Sequence, residues 1–545
     1  MYKIAYFSAE IGISAGLPTY SGGLGVLAGD HIKAAADAEI PLCAVTLLYK
    51  EGYFKQRIDE DGNQSETYPR FDPDPVMKKL PVEFILPLQG HNVRIQAWQY
   101  TYSGLTGHTI PIYLLDTDIE GNRQDDRNIT LRLYSGDKNH RILQEAILGF
   151  GGIRLLETLG IRDIETYHMN EGHCSFLTLE LLRKYHGREA DVRKRCVFTT
   201  HTPVPAGHDH FAMERCKNLL DGLIPNDLRL PSLVQNSRLH MTELGLYFSR
   251  STNGVSKLHG SVAREQFPDF KIGNITNGVY HNYWVGKPFR ELYDRIFPDW
   301  RLNPEQLLRI DEVSDDDLLT AHRSQKHFLL GYANSQLQKA LSRDVLTIGF
   351  ARRAAAYKRA RLIFRDLDRL VEIGQGKIQI IFAGKAHPKD DQGKDILKDI
   401  VVQANKLFGR VKIVFLENYN MWLGRLITSG VDVWLNTPLR PHEASGTSGM
   451  KATLNGIPNL SILDGWWAEA CRDGVNGWAI GTNENSDDEQ DANHLYSVLE
   501  QRVIPTYYEN KSEWMKLIRE AIKTGVQFTA QRMIQEYNQQ LYQNE

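Results

Sequence analysis

VLTIGFARRAAAYKRARLIF, residues 345–364, changes character in its middle. The first seven residues, Val345 to Ala351, form a short apolar, β-branched run of the kind a fully buried strand needs. Arg352, Arg353, Lys358, Arg359 and Arg361 follow at once. Ligands of open α/β sheets bind outside the carboxyl ends of the strands, so a basic cluster placed there points to a bound anion. Two adjacent guanidiniums suit bidentate contact with phosphate. The plain alternative, a basic helix face in water, is weakened by that position.

Working outward, the same pattern recurs. IQIIFAG (378–384), VKIVFLE (411–417), VDVWLN (431–436) and PNLSIL (458–463) each precede a polar loop and a helical stretch. In the first half KIAYFSA (3–9), PLCAVTLLY (41–49), IETYHMN (164–170), RCVFTTH (195–201) and KIGNITNG (271–278) read as buried strands. VEFILPL (82–88), VRIQAWQY (93–100) and IPIYLLD (110–116) read as an antiparallel excursion. Strands alternating with helices imply parallel sheets covered on both faces. A break between the two series falls near residues 277–304, where turn residues mix with aromatics. The expected fold is α/β, with two facing Rossmann-like lobes and the site in the cleft between them. The lobes are drawn as 1–285 and 286–500, with a helical segment at 501–545. NENSDDEQDAN (483–493) reads as a solvated acidic loop.

A net charge of −3 over 545 residues gives no electrostatic case for nucleic acid or an anionic membrane. Five cysteines, odd in number and without CxxC, speak for reduced thiols and against a disulfide framework or zinc site. The N-terminus MYKIAYFSAEIG turns polar too soon for a signal peptide. No run reaches the ~18 apolar residues of a membrane span. A soluble, cytoplasmic protein with neither nucleic-acid nor membrane partners is expected.

Three further stretches can carry chemistry. YSGGLGVLAGDHIKAAADAEIP (20–41) follows the first strand, and Gly22, Gly23 and Gly25 let the main chain approach a ligand where a helix begins. HMNEGH (168–173) and THTPVPAGHDHF (200–211) put His168, Glu171, His173, His201, His208 and His210 at strand ends. Neither has metal-ligand spacing, so hydrogen bonding to a polar substrate is the better use and no metal is expected. EASGTSGMKATLNG (443–456) encloses Lys451 between glycines and hydroxyls. It lacks the Gly-Lys-Ser/Thr order of a P-loop. A partly desolvated lysine can have its pKa lowered and bond an aldehyde cofactor covalently.

Together these motifs resemble the α-glucan (glycogen, starch, maltodextrin) phosphorylases in their short bacterial and archaeal form. The resemblance runs from SGGLG through HMNEGH, HTPVPAGHDHF, NITNGV, ARRxxxYKR and FLENYN to EASGTSGMKxxLNG. It implies the two-lobed GT-B architecture and a glycosyltransferase that performs reversible phosphorolysis of terminal α-1,4-linked glucose. Glucose 1-phosphate is released with retention, and pyridoxal 5'-phosphate serves as proton relay. By the resemblance Lys451 carries the cofactor, and Thr447 and Arg352 hold its phosphate, with Lys358 and Gly23 also placed beside it. Arg353, Lys358 and the Gly23–Leu24 amides would take the substrate phosphate. Glu443, Ser445 and Gly446 would bind the 3- and 4-hydroxyls of glucose, with Tyr357 and Glu443 near the 2-hydroxyl. Asn277 and His201 would reach the 6-hydroxyl, with Glu171 and His173 beside the donor and acceptor sugars. The catalytic group is then Lys451, Arg353, Lys358, His201 and Arg352. The implied partners are α-1,4-glucan, inorganic phosphate and glucose 1-phosphate, in a homo-oligomer, a dimer.

Two features depart from the long family members. Arg352 stands where they usually have lysine, and Ala354 to Ala356 replace polar support. The N-terminal regulatory segments of animal enzymes have no counterpart, so allosteric control is not expected. Two competing readings share the scaffold: a nucleotide-sugar-dependent synthase-like glycosyltransferase and a catalytically silent glucan-binding protein. Lys451 within SGTSGMK separates the first from a phosphorylase, and retention of the second phosphate pocket separates the other.

Overall fold

A computed structural model describes residues 2–225, 234–235, 237–337, 341–482 and 487–543. The chain forms two compact units. One comprises residues 1–54, 68–276 and 533–545; the other comprises 55–67 and 277–532. This division differs from the expected 1–285, 286–500 and 501–545 in three places, each with a physical cause.

The first unit is built on a nine-stranded sheet. Its order is Gly273–Asn274, Ser251–Gly254, Cys196–Thr199, Thr166–Asn170, Ile4–Ser8, Leu42–Leu47, Thr109–Asp116, His91–Ser103 and Lys78–Leu88. Neighbours from Gly273–Asn274 through Thr109–Asp116 pair in parallel. The last two strands pair antiparallel, forming the expected excursion. Their hairpin turns at Gln89 (φ 57°) and Gly90 (φ 77°), two successive positive φ values that match the right-handed twist of the flanking strands. Ile4–Ser8 and Leu42–Leu47 are buried at every position, as central parallel strands require. Phe7, Val45, Leu115, Phe150 and Phe176 lie in the core beneath them.

The second unit carries a six-stranded, wholly parallel sheet. Its order is Lys412–Leu416, Ile378–Ala383, Leu346–Ala351, Val433–Asn436, Asn459–Ile462 and Gly477–Ile480. In sequence terms this is 3-2-1-4-5-6, the Rossmann order, with its reversal between Leu346–Ala351 and Val433–Asn436. Two strands of the two large sheets were not foreseen, Ser251–Gly254 and Gly477–Ile480. Both are short and glycine-containing, too brief to show an apolar run.

The early segment 55–67 joins the second unit through a hairpin, Lys55–Ile58 and Gln64–Thr67. Gln56 donates to the Gly384 carbonyl (2.9 Å), and Gln64 exchanges bonds with both the N–H and the carbonyl of Ala386 (3.0 Å each). Residues 277–285 belong there too, because Asn455 donates to the Trp284 carbonyl (3.0 Å) and accepts from the Gly286 N–H (2.7 Å). The expected C-terminal helical segment is helical, but divided. Lys511–Gln527 packs in the second unit, whereas 533–545 belongs to the first. There Tyr542 bridges His31 (2.8 Å) and His168 (2.7 Å). The expected acidic loop is corrected as well. Residues 483–486 lie outside the described residues, but Asp488–Val498 is a helix. Asp487 caps it by accepting from the N–H groups of Glu489 and Gln490, and Asp491 is buried against Arg359.

Candidate active site

In the second unit the strand reversal gathers the basic cluster. Arg352 to Lys358 follow one strand and Thr437 to Gly446 follow its neighbour. Arg352 Nη2 donates to Glu443 Oε2 at 2.6 Å, and Lys358 Nζ donates to the same oxygen. All three side chains are at most 10% exposed. Burial alone pushes the Glu443 carboxyl up; Arg352 and then Lys358 outweigh it and hold the group at about 2. Arg352 Nη1 is buried without a protein partner among the described residues.

The rest of the basic cluster divides. Arg353 is exposed, and Tyr357 is half-buried with Lys358 Nζ 4.5 Å from its ring centroid. Arg359 adopts φ 48° and is consumed by structure, bonding the carbonyls of Thr437 and Pro438 and the carboxylates of Asp488 and Asp491. Arg361 pairs with Asp399 at the surface.

Lys451 sits in the helix Ser448–Thr453, 6% exposed, with Nζ 3.8 Å from the ring centroid of the buried Trp284. Gly449 seats that helix on the sheet: a Cβ there would stand 2.3 Å from Asn459 Oδ1. Thr447, half-buried, opens the helix, and Gly446 before it adopts φ 74°. Ser445 Oγ and Asn277 Oδ1 are both buried without a protein partner among the described residues. A buried polar atom left unpaired is costly, so these atoms are the ones a polar ligand would satisfy.

Asp464 was not foreseen. Its Oδ2 accepts from the Glu443 N–H (2.9 Å) and its Oδ1 from the Gly465 N–H (2.8 Å). Burial holds its carboxyl up at about 7, with the Glu443 charge adding to the rise. Beside it the Trp466 N–H donates to the Ser445 carbonyl at 2.9 Å, so residues 464–466 clamp the backbone of 443–445. The signal was present as Asp-Gly directly after the run PNLSIL.

In the first unit the reversal lies between Ile4–Ser8 and Thr166–Asn170, which flank each other in parallel. Helix Gly23–Asp37 starts close to the end of the first strand, with Gly22 as its extended N-cap and no side-chain cap. Nothing lies within 4 Å of where a Cβ on Gly23 would be, and Leu24 is half-buried. Glu10, also unforeseen, holds the loop. Its Oε2 accepts from Ser21 N–H (2.6 Å), Ser21 Oγ (3.1 Å) and Gly22 N–H (3.2 Å), and its Oε1 from Tyr134 Oη (2.8 Å).

Glu171 follows the strand Thr166–Asn170 and takes φ 79°, ψ 165°, a conformation otherwise nearly confined to glycine. Its Oε2 accepts from the His201 N–H (2.7 Å) and Thr202 Oγ1 (2.9 Å). His201 Nε2 lies 2.6 Å from Asn170 Oδ1, and burial keeps the ring neutral by lowering its pKa to about 3. His173 is likewise lowered to about 3 by burial and then by Arg141, and its Nδ1 is buried without a protein partner among the described residues. Glu171 and His201 therefore meet, with His173 two residues away. The other histidines serve the scaffold. His168 joins the Tyr542 network, His208 bonds Thr242 (2.9 Å) and Gln266 (3.0 Å), and His210 stacks on His240.

The family model for carbohydrate phosphorylase matches residues 167–476, which include Glu171, His173, His201, Asn277, Arg352, Arg353, Lys358, Glu443, Lys451 and Asp464, but not the glycine loop or Glu10. The chain is 40% identical to maltodextrin phosphorylase of Thermococcus litoralis over 99% of its length and 70% of that protein. It is 39% identical to glycogen phosphorylase of Mycobacterium tuberculosis, with 99% and 70% covered. It is 36% identical to glycogen phosphorylase of Aquifex aeolicus, with 99% and 86% covered. A matching family model over more than half of the chain, and relatives of this identity along nearly all of it, lead to one conclusion: the chain belongs to the carbohydrate phosphorylase family.

Proposed function

We propose that the protein catalyses reversible phosphorolysis of terminal α-1,4-glucosidic bonds in an α-glucan, releasing α-D-glucose 1-phosphate with retention. The observation that carries this reading is the buried cluster Arg352–Glu443–Lys358, whose Glu443 opens the stretch that leads into the helix bearing Lys451. It joins a sugar-binding carboxylate to cations suited to phosphate. The names of the relatives, maltodextrin and glycogen phosphorylase, favour glucan as the substrate.

The residues present fit pyridoxal 5'-phosphate. Lys451 is buried against an aromatic ring, as a carrier lysine needs to be, and the unpartnered Arg352 Nη1 suits a phosphate oxygen. Lys451 would carry the group, with Thr447, Arg352 and Lys358 around its phosphate. When bound, it supplies a phosphate that can hold or release a proton near neutral pH. The protein's own groups bind and orient. Glu443, Ser445 and Gly446 would fix the sugar hydroxyls. Arg353, Lys358 and the Gly23–Leu24 amides would hold the substrate phosphate. Neutral His201 would hydrogen-bond the sugar, with its ring set by Asn170 and its backbone by Glu171. Tyr357, Asn277, Glu171 and His173 complete the proposed sugar contacts. The GT-B pairing of two lobes, a homodimer and a cytoplasmic setting belong to the same proposal. Among the described residues no helix is long and apolar enough to cross a membrane.

Hydride reduction of the purified protein followed by peptide mapping tests the cofactor assignment. A pyridoxyl adduct on Lys451 is expected; an adduct elsewhere, or none, overturns it. Lys451→Ala should abolish glucose 1-phosphate release from maltodextrin and phosphate.

A further inference from the structure

We propose that the turn Asp464–Gly465–Trp466 is the positioning element of the site, setting the spacing between the sugar-gripping loop 443–446 and the helix that bears Lys451. The inference rests on the phosphorylase reading, which makes that loop the sugar site, and adds three residues that act through the groups holding substrate.

The turn follows the strand Asn459–Ile462 and meets the loop at three points in succession. Asp464, 2% exposed, gives one carboxyl oxygen to the Glu443 N–H (2.9 Å) and the other to the Gly465 N–H (2.8 Å), so one group fastens both the loop and its own turn. Gly465 adopts φ 53° and lies flat on Ser445. A Cβ there would stand 2.2 Å from the Ser445 carbonyl oxygen, an approach that only glycine permits. The Trp466 N–H then donates to that same oxygen at 2.9 Å. The main chain of residues 443–445 is thereby fixed in register with the turn.

The Trp466 side chain reaches the lysine helix. Its buried ring lies beside Gly449, two residues before Lys451, where a Cβ would stand 2.8 Å from Cζ2. It also meets Phe528 edge-on, with ring centroids 5.0 Å apart. A close-packed indole transmits position because its neighbours leave it no slack. The direct covalent link from the loop to the helix runs through Gly446, at φ 74°, a residue type with wide backbone freedom. The turn braces from outside the two parts that this link joins. Such a brace matters to rate, since a misplacement of about 1 Å between reacting groups can cost about a hundredfold.

Inorganic phosphate and glucose 1-phosphate share the phosphate and differ by the sugar ring, so their separate affinities isolate the grip of the loop. Both are titrated calorimetrically into the purified protein without glucan, so that no acceptor is present for turnover. Asp464→Asn leaves one side-chain oxygen for two N–H donors. It should weaken glucose 1-phosphate binding about tenfold and leave inorganic phosphate within about twofold. Equal loss for both ligands, or loss for neither, in the folded variant overturns the proposal. Trp466→Phe keeps the backbone bond to Ser445 but withdraws the ring edge beside Gly449. Both affinities should then stay within about twofold, while kcat for glucose 1-phosphate release from maltodextrin falls about tenfold or more. An unchanged kcat overturns the proposal, whether or not Asp464→Asn folds. A wild-type protein that binds neither ligand at millimolar concentration overturns the phosphorylase reading itself, which separates the two failures.

Discussion

Asp464 accepts the backbone N–H of Glu443 across 2.9 Å, tying the loop after one strand to the turn after the neighbouring strand. Burial raises its folded-state pKa from 3.8 to about 7. The native protein therefore keeps this proton in a pH range where the unfolded chain has lost it. Stability from the group is greatest below that window and is lost as pH rises through about 7. Asp464→Asn should cost about 1 kcal/mol at pH 5 through a weakened hydrogen bond. At pH 8 the gap should close or reverse. Denaturant melts at the two pH values check this; an unchanged gap contradicts it.

Glu10 organises the glycine loop by accepting three bonds from Ser21 and Gly22. Glu10→Gln sets an amide donor against those donors, which costs about 1–3 kcal/mol locally. The expected outcome is a folded protein whose KM for phosphate rises about tenfold, with a smaller change for glucan. Initial-rate kinetics with each substrate varied will show it.

Arg353 is exposed at the carboxyl end of its strand, while its neighbour Arg352 is committed to Glu443. Arg353→Ala should raise the KM for phosphate by about tenfold or more, the worth of a charge-assisted contact. Glucan binding should change far less. Equal losses for both substrates would count against its assignment.

Tyr542 bridges His31 and His168, and both rings are driven neutral by burial, His31 to about 3. Their folded pKa values lie below the unfolded value of 6.5, so the unfolded chain binds protons first as pH falls. Stability from these groups is full above that pH and is lost on acidification through the window. Tyr542→Phe leaves two buried nitrogens without the hydroxyl, a cost of about 1–3 kcal/mol at pH 7.5. Thermal melts across pH 5–7.5 should show both the loss in the variant and the acid decline in the wild type.

The strands that bear the site were legible because each is a compact apolar run, as in VLTIGFA and PNLSIL. Strands without such a run were not: STNG and GWAI owe their places to neighbouring strands. The hairpin at 55–67 was hidden for a related reason. Gln56 and Gln64 look like surface residues until backbone partners from beyond residue 380 are supplied. In the site, residue types at strand ends announced Arg352, Lys358, Glu443 and Lys451. Composition could not separate Arg359, equally basic, from its neighbours in the candidate site; its αL backbone turns it onto Asp491. Glu10 acts on backbone amides, which carry no sequence signature, and Asp464 does the same, announced only by an Asp-Gly pair after its strand.

The division of the chain has a further consequence for how the protein is made. The first unit holds residues from both the beginning of the chain and 533–545. His31 and His168 wait for Tyr542, which leaves the ribosome more than 370 residues after His168. Vectorial synthesis, which lets contiguous domains fold in turn, cannot complete this unit early. The second unit's strands all emerge before the first unit's last partners arrive, so the N-terminal unit is the later of the two to be finished.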